Sequence, residues 1–285
     1  MRVRRHEDVS SFLGQGGALL EAAEAENNLM LGVAGDLVLY PERWSEPPVL
    51  ITVEADGEVC GAALRTPPWN LILTRMPAAA LGPLLDVLDG EDLPGVIGPA
   101  EIAGVFADGW GARRGVATRK GMAMRVFELR EVVPPARPAA GVLRRAVRDE
   151  LPLVTAWAKA FHRDAGVSSP VPIEGVALEG VQDGRVYLWD DGGPVSAVMW
   201  SRETPHGVGV TLVYTPEALR GRGYASSAVA ALSQRLLDGG RELCFLFTDL
   251  ANPTSNHIYQ AIGYRPVADF DSHSFGEAAA DQPSS

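Results

Sequence analysis

Residues 220–225 read RGRGYA and lie between a strand-like run and a helix-like run. The run before them, residues 208–214 (VGVTLVY), is rich in β-branched and aromatic residues, which is typical of strands. The run after them, residues 224–237, has apolar residues at helical spacing and is followed by two glycines, as the end of a helix often is. The sequence therefore predicts a glycine-rich loop that leads from a strand into the N-terminus of a helix.

A loop of this kind is suited to binding an anion. The first amides of a helix have no partner inside the helix, and the helix dipole is positive at that end. Gly221 and Gly223 can adopt positive φ and have no side chain to obstruct a phosphate, while Arg220 and Arg222 add positive charge. Two glycines and two arginines can also form an ordinary exposed turn. A dinucleotide-binding fingerprint and a P-loop fit poorly, because Ser226 stands where the former needs glycine or alanine and no Gly-Lys-Ser/Thr is present.

A second motif, NPTSNHIYQAIGY, occupies residues 252–264. Part of it has a structural explanation, since Asn252 is a good N-cap and Gly263 is typical just after a helix end. Tyr259 is not explained in this way, although a tyrosine at this spacing is often a half-buried packing residue. Asn252, Ser255 and Tyr259 are spaced so that all three can lie on one side of a helix.

Together, the two motifs resemble those of the GNAT superfamily of N-acetyltransferases. The first is similar to the pyrophosphate loop of that family, Gln/Arg-x-x-Gly-x-Gly/Ala, through Arg220, Gly223 and Ala225. The second matches the family's next helix at five places: Asn252, Ser255, Tyr259, Gly263 and Tyr264. The resemblance covers residues 142–270, a little under half of the chain.

The resemblance implies an α+β fold with a mixed, mostly antiparallel central sheet flanked by helices. It also implies acetyl-CoA as the cosubstrate, with the pantetheine arm in a slot where the strand of residues 208–214 splays from the next strand. The residues expected to contact the coenzyme are Leu212, Val213, Tyr214, Arg220, Gly221, Arg222, Gly223, Tyr224, Ala225, Ser226, Asn252 and Ser255.

The chemistry implied by the resemblance is direct acyl transfer, in which an amine attacks the thioester carbonyl within a ternary complex. A main-chain N–H of residues 212–214 is expected to polarise that carbonyl. Tyr259 is expected to protonate the departing thiolate, since a phenol with a pKa of about 10 stays protonated at neutral pH. Many GNAT enzymes have a glutamate on the central strand as general base, whereas residues 208–214 contain no carboxylate. Glu203 and His206 are the nearest candidates, and a water relay or an already neutral amine is equally open.

The predicted function is acetyl-CoA-dependent N-acetylation of an amine. The sequence leaves the acceptor open among a protein N-terminus, lysine, a polyamine, an amino acid and an antibiotic. The alternative is a non-catalytic acyl-CoA-binding or regulatory module; the missing strand glutamate favours it, whereas Tyr259 speaks against it because a binding module needs no acid. A structural protein with a vestigial loop is a third reading.

The organisation of the chain is marked by a segment rich in proline and alanine at residues 132–141, VVPPARPAAG, which predicts a linker. We expect it to precede an acetyltransferase domain at residues 142–275 and a flexible tail at residues 276–285.

Residues 1–131 repeat the order of helices and strands more faintly, with a first helix expected at residues 17–28. We therefore expect two tandem copies of the fold, the first degenerate, because its corresponding loop, TRMPAAAL at residues 74–81, lacks a phosphate cradle. The glycine cluster at residues 14–17 is expected to be a plain loop that enters this helix.

The composition limits the partners of this 285-residue chain. A net charge of −11 argues against nucleic acid and favours a cationic acceptor such as an amine. We expect a cytoplasmic protein without a membrane span, since no apolar run of about eighteen residues occurs and the N-terminus turns polar early. Cys60 and Cys244 are expected to be free thiols, and no spacing typical of a metal site is present. A monomer and a homodimer both remain open.

Overall fold

The computed structural model describes residues 1–166 and 172–276, which form two compact units. The first unit contains residues 1–125 together with the part of the last strand from Ala268 onward, and the second contains residues 126–267. The N-terminal unit is therefore completed by the end of the described chain.

Helices and strands alternate along the chain in the same order in both halves. Among the described residues the α-helices are α1 (Val9–Ala22), α2 (Asn28–Leu39), α3 (Leu81–Val87), α4 (Ala100–Arg114), α5 (Leu151–Asp164), α6 (Ile173–Gln182), α7 (Tyr224–Asp238) and α8 (Pro253–Ala261). The strands are β1 (Arg2–Arg5), β2 (Val49–Ala55), β3 (Glu58–Arg65), β4 (Leu71–Leu73), β5 (Gly95–Pro99), β6 (Ala117–Leu129), β7 (Val142–Arg145), β8 (Val186–Asp190), β9 (Pro194–Glu203), β10 (Gly207–Tyr214), β11 (Leu243–Asp249) and β12 (Arg265–Gly276). Each half reads strand, two helices, three strands, helix, strand, helix, strand. The sequence predicted the repeat from the three strands onward, but only one helix before them and no strand before that helix.

In the first unit, the strand order is β1-β2-β3-β4-β5, followed by the C-terminal part of β12. Neighbouring strands are antiparallel except β4 and β5, which are parallel. Helices cover both faces of this sheet. On β2, Ile51 packs into the core shared with α3 and α4, whereas Leu50 packs into the core shared with α1 and α2, because successive side chains of a strand point to opposite faces.

In the second unit, β7-β8-β9-β10-β11 are neighbours in that order. Only β10 and β11 are parallel within this series. Tyr187 on β8 packs with α7 and α8, and the adjacent Leu188 packs with α5 and α6. The mixed, mostly antiparallel sheet with flanking helices is thus confirmed in the second unit, and the first unit has the same architecture.

Two predictions for the N-terminal region were wrong. The single helix expected at residues 17–28 is replaced by α1 and α2, and the glycines of residues 14–17 lie inside α1 rather than in an entry loop. A Cβ on Gly16 would lie 3.2 Å from the methyl carbon of Thr52 on β2. The glycine therefore allows α1 to pack closely on the sheet, and tertiary packing outweighs the poor helix propensity of glycine.

The C-terminal strand also differs from the expectation. It continues through Gly276 rather than ending at Phe270, and residues 277–285 of the expected tail lie outside the described part of the chain. Its register with β5 runs from Phe270 opposite Pro99 to Ser274 opposite Gly95. Residues 268–276 therefore lie in the first unit, whereas the sequence-based boundary places residues 268–275 with the second domain.

The proline-rich segment expected to be a linker, residues 132–141, lies against the second unit and is held at several points. The amide of Val133 donates to the carbonyl of Ile262 over 3.0 Å, and the amide of Ala139 donates to the hydroxyl of Ser227 over 2.9 Å. Near its end, the carbonyl of Ala140 accepts from the indole of Trp189 over 2.8 Å. We call residues 132–141 the strap.

No helix among the described residues combines the length and the apolar composition that crossing a bilayer requires.

The buried thiol of Cys244 makes the stability of the second unit dependent on alkaline pH. Burial raises the pKa of this thiol from about 9 to about 12. Between these values the unfolded chain releases the proton and the folded chain keeps it, so the free energy of unfolding falls as the pH rises. We expect a steeper fall for the wild type than for Cys244→Ala, by up to about 1.4 kcal/mol per pH unit. Guanidinium melts at several alkaline pH values measure this, with Cys60→Ala as the control; equal slopes for the wild type and Cys244→Ala would contradict the expectation.

Candidate functional site

A bulge interrupts β10 three residues before its end. Thr211 lies opposite Met199 on β9 and Tyr214 lies opposite Ala197, so β10 advances by three residues while β9 advances by two. The extra residue is accommodated at Leu212, whose φ is +51°, in the left-handed region that a leucine rarely adopts. A bulge of this kind turns backbone groups out of the regular hydrogen-bond ladder.

The bulge also changes which face each side chain of β10 occupies. Val208 and Val210 pack into the core with α7 and α8. Strict alternation would put Leu212 on the same face, but Leu212 packs into the core with α5 and α6, and Val213 packs beside α7 instead. The backbone between Leu212 and Tyr214 is therefore re-aimed, as the resemblance requires of a segment that binds a ligand through its main chain.

The parallel pairing of β10 with β11 is short. In the described chain, it runs from Gly207 opposite Leu243 to Gly209 opposite Phe245. Beyond this point, β10 continues to Tyr214 and β11 to Asp249, and these described residues do not pair with each other. The C-terminal ends of β10 and β11 therefore present backbone groups to the space between them.

The glycine-rich loop has the conformation that the sequence predicts. Gly221 and Gly223 have φ values of +79° and +81°. Gly223 is the N-cap of α7 and provides no side-chain cap, so the first amides of this 15-residue helix receive no side-chain acceptor at the N-cap. A Cβ on Gly221 would meet nothing within 4 Å. The loop is an open cradle of amides at the positive end of a helix.

The arginines of the loop differ in their partners. The Arg220 guanidinium donates to the carboxylate of Asp164 over 2.8 Å and to the carbonyl of Thr215 over 3.0 Å. This pairing fixes Arg220 as part of the loop framework, although its side chain is still half exposed. Arg222 is exposed, and its guanidinium interacts with the hydroxyl of Tyr224 at the start of α7 rather than with a carboxylate. Arg222 is therefore the better placed of the two for an incoming phosphate.

Two further side chains at the start of α7 have structural partners. The hydroxyl of Tyr224 donates to the carboxylate of Asp191 over 2.6 Å, and this hydrogen bond raises the pKa of Tyr224. Ser227 accepts from the strap. Because the Tyr224 hydroxyl is engaged with Asp191, the donors that the first turn offers to an anion are backbone amides such as those of Ala225 and Ser226.

The second motif forms α8, as predicted, and its residues have separate roles. The side chain of Asn252 accepts a hydrogen bond from the amide of Ser255 over 3.1 Å and so caps the helix. The structural reading of Asn252 is thereby confirmed. The hydroxyl of Ser255 is half-buried and has no hydrogen-bond partner among the described residues. The Ser255 hydroxyl and the exposed Nδ2 of Asn252 are therefore the polar groups of this pair that the cap does not use.

Tyr259 lies in the core of the second unit and is 8% exposed. Its ring packs against Phe127, with a centroid distance of 6.5 Å, and edge-on against Tyr264 at 6.0 Å. Burial raises the pKa of the Tyr259 phenol above its ordinary value. No described residue accepts from or donates to its hydroxyl, whereas the hydroxyl of Tyr264 pairs with Ser233 over 2.9 Å. Tyr259 is thus a protonated phenol whose polar atom has no structural role in the described chain.

The structure does not bring Glu203 to the bulge. Glu203 lies opposite Val208, near the start of β10, which is four residues from Leu212 and so about 13 Å along the strand. Its carboxylate is also paired with the guanidinium of Arg241. His206 precedes β10 at the same end. Neither residue is placed as a base for an amine held near Leu212.

Sequence reasoning missed two polar groups near these elements. The Nδ1 atom of His162 on α5 and the Oδ1 atom of Asn256 on α8 are buried without a hydrogen-bond partner. Asn256 also donates through Nδ2 to the carbonyl of Asp249 at the end of β11. No motif identifies either residue, because an unpaired polar atom is a property of packing rather than of sequence.

The corresponding loop of the first unit has no cradle of this kind. After β4, residues 78–80 form a short 3-10 helix, and α3 then begins with no side-chain cap and only seven residues. Neither residue 77, a proline without an amide hydrogen, nor the three alanines after it provides the positive φ seen at Gly221 and Gly223.

Comparison with known proteins supports the assignment of the fold. The FR47-like protein family model matches residues 190–270, which include the bulge, the glycine-rich loop and α8. No curated protein matches the chain in sequence.

Solved structures match nearly the whole chain at low identity. A Drosophila protein aligns with a TM-score of 0.68 and 13% identity, over 96% of this chain and 98% of its own. A GCN5-related N-acetyltransferase from Sphaerobacter thermophilus aligns with a TM-score of 0.60 and 18% identity, over 99% and 97%. A tandem GNAT protein from the clavulanic acid biosynthesis pathway aligns with a TM-score of 0.52 and 15% identity, over 99% of both chains. The chain therefore has the fold of GNAT proteins, as the two motifs predicted.

Proposed function

We propose that the second unit is an acetyl-CoA-dependent N-acetyltransferase, which transfers the acetyl group to an amine by direct attack. The observation that carries this proposal is the combination of a bulged, splayed β10 with an uncapped glycine cradle at the start of the helix that follows. The bulged strand would supply a backbone donor for a carbonyl, and the glycine cradle would supply backbone donors for a pyrophosphate. A single extended ligand that carries both groups satisfies the two sites together.

The residues present fit a pyrophosphate-bearing coenzyme. Gly221 and Gly223 leave the cradle free of side chains, and the amides of the first turn of α7 point toward the space that a side-chain cap would otherwise occupy. Arg222 adds a cation in a protein of net charge −11, in which an anionic ligand needs local compensation. When bound, the coenzyme would supply the acetyl thioester, with Ser255 able to donate to its pantetheine arm.

The bulge would perform the electrostatic part of the reaction. As the amine attacks, negative charge develops on the carbonyl oxygen, and a main-chain N–H between Leu212 and Tyr214 would stabilise it by hydrogen bonding. Because the positive φ of Leu212 is fixed by packing, this donor is oriented before the ligand binds. The carbon–nitrogen bond forms as the carbon–sulfur bond breaks.

Tyr259 would donate the proton that the departing thiolate requires. Burial keeps the phenol protonated, and the same apolar surroundings raise the basicity of a thiolate that forms there. The hydroxyl has no competing partner among the described residues and can therefore be turned toward the sulfur. A positioned donor of this kind typically contributes about 10²- to 10⁴-fold in rate.

The amine must be neutral when it attacks. It would either lose its ammonium proton to solvent or bind as an amine that is already neutral. Glu203 is remote from the bulge and paired with Arg241, so the position of the expected base is not filled by that residue. This absence favours the second candidate function, a coenzyme-binding module without transfer. The free, protonated hydroxyl of Tyr259 favours the enzyme.

Thiol release from acetyl-CoA in the presence of pooled amines separates these functions. The pools cover peptides with a free N-terminus, lysine peptides, polyamines, amino acids and aminoglycosides. We expect one class to accelerate thiol release and to gain the mass of one acetyl group. Release that is independent of added amine would indicate thioester hydrolysis, and coenzyme binding without release in any pool would indicate the binding module.

A further inference from the structure

The first unit contains an open surface pocket that the proposed function does not use, and we call it the cavity. Its volume is about 550 Å³, and it lies where the end of α1, the start of α2 and the segment after β4 meet. This volume is within the range of small-molecule sites, about 300–1,000 Å³. The cavity belongs to the half of the chain that lacks a phosphate cradle.

The walls of the cavity are mainly apolar. They include Leu19 and Ala23 from α1 and its end, and Met76 and Pro77 from the segment after β4. The half-buried thiol of Cys60 on β3 also lines it. These surfaces would bind the hydrocarbon body of a ligand through burial of apolar area.

One side chain that lines the cavity has an unused acceptor. Asn27 is the N-cap of α2 but makes no side-chain capping hydrogen bond, and it is 8% exposed. Its Nδ2 atom donates to the carbonyl of Leu20 over 3.1 Å. Its Oδ1 atom accepts from no described residue, although an asparagine at this position normally accepts from its own helix. A ligand with a hydrogen-bond donor would satisfy this oxygen.

The charged groups at the cavity favour a cation. Arg75 and Glu26 both line it, and the Nε atom of Arg75 lies 3.2 Å from the carboxylate of Glu26. The same guanidinium is paired with Glu101. Within the lining of the cavity Arg75 and Glu26 balance, and Glu101, which lies outside the lining, gives the three-residue cluster a net charge of −1. Glu26 is the less exposed carboxylate of the two, so an ammonium group placed near it would be only partly screened by water.

We propose that this cavity binds a small primary amine with an apolar body, its ammonium group held by the carboxylate of Glu26 and the Oδ1 atom of Asn27. The site is separate from the coenzyme site of the second unit, and the proposal does not depend on acetyl transfer. The uncapped amides at the start of α2 would instead attract a carboxylate, so an anion of the same shape is the decisive comparison.

Cys60 provides a direct measure of occupancy. The chain has two cysteines, and Cys244 is fully buried with a pKa raised to about 12 by burial, so alkylation of the folded protein by iodoacetamide reports on Cys60. The probes are 2-phenylethylamine, its neutral analogue 2-phenylethanol and the anion 3-phenylpropanoate. We expect the amine at ten times its dissociation constant to slow alkylation about tenfold, since roughly a tenth of the sites stay open.

The ligand series on the wild-type protein tests the proposal without any variant. Protection by the amine but not by the alcohol or the carboxylate at the same concentration supports it, and equal protection by all three, protection by the carboxylate, or no protection overturns it. Glu26→Gln should abolish the protection. Glu91→Gln, which removes the partner of Arg5 elsewhere in the first unit, should retain it. Full protection in Glu26→Gln would likewise overturn the proposal.

Discussion

Gly223→Asp should lower the affinity for acetyl-CoA by roughly 100-fold or more. The added carboxylate would stand at the N-cap of α7, where the proposal places the pyrophosphate. Two unit charges about 4 Å apart repel by about 4 kcal/mol at an effective dielectric constant of 20, which exceeds the loss stated here. Calorimetric titration with acetyl-CoA measures the affinity.

Gly240→Asp is the matched control for this substitution. Gly240 has a φ of +97°, close to the +81° of Gly223, so the backbone strain and the added charge are similar, but the residue follows the other end of α7. A Cβ on Gly240 would meet nothing within 4 Å, and one on Gly223 would make only an ordinary contact with the strap, 3.5 Å from the carbonyl oxygen of Arg137. We expect its affinity for acetyl-CoA to stay within about twofold of the wild type, since the repulsion between exposed charges at that separation is largely screened. Equal losses in the two variants would show that the loop is not the phosphate site.

Tyr259→Phe should lower the turnover number by about 10²- to 10⁴-fold while the dissociation constant for acetyl-CoA changes little. The ring contacts with Phe127 and Tyr264 survive the substitution, so only the proton donor is lost. The measurement is acetyl transfer to whichever amine class proves active, compared with calorimetric titration of the same preparation. An unchanged turnover number would remove Tyr259 from the chemistry.

Tyr264→Phe serves as the control for loss of a buried phenol in the same core. It breaks the hydrogen bond with Ser233, which should cost about 1 kcal/mol of stability. We expect its turnover number to remain near that of the wild type, because its hydroxyl is already engaged. A loss of turnover as large as that of Tyr259→Phe would mean that both substitutions act through packing.

The sequence predicts the second unit well because local signals and tertiary contacts agree there. The β-branched run becomes β10, the glycines take positive φ as expected of residues between a strand and a helix, and Asn252 caps α8. The repeat of element order in the first half is also visible, although α1 and α2 were merged into one short helix. Glycine-rich helices such as α1 are difficult to predict, since close packing rather than propensity stabilises them.

Other features depend on contacts that no local pattern specifies. The bulge places Leu212 at positive φ. The sequence has no glycine or asparagine at this position that would have predicted the bulge. The end of β12 pairs with β5, a strand far away in sequence, so its membership in the first unit could not be read from order alone. The ion pair of Glu203 with Arg241 also depends on the fold and could not be predicted from local sequence. Because Glu203 is engaged in this pair, the general base suggested by the sequence is not available at the proposed site.

Hydrogen–deuterium exchange with and without acetyl-CoA tests the central claim most directly, because it locates the ligand on the backbone. The account predicts slower exchange at the amides of residues 221–226 and of residues 212–214, with no change in residues 74–81 of the first unit. Unchanged exchange at residues 221–226 under saturating acetyl-CoA, or protection of residues 74–81 instead, would contradict the assignment of the coenzyme site to the second unit.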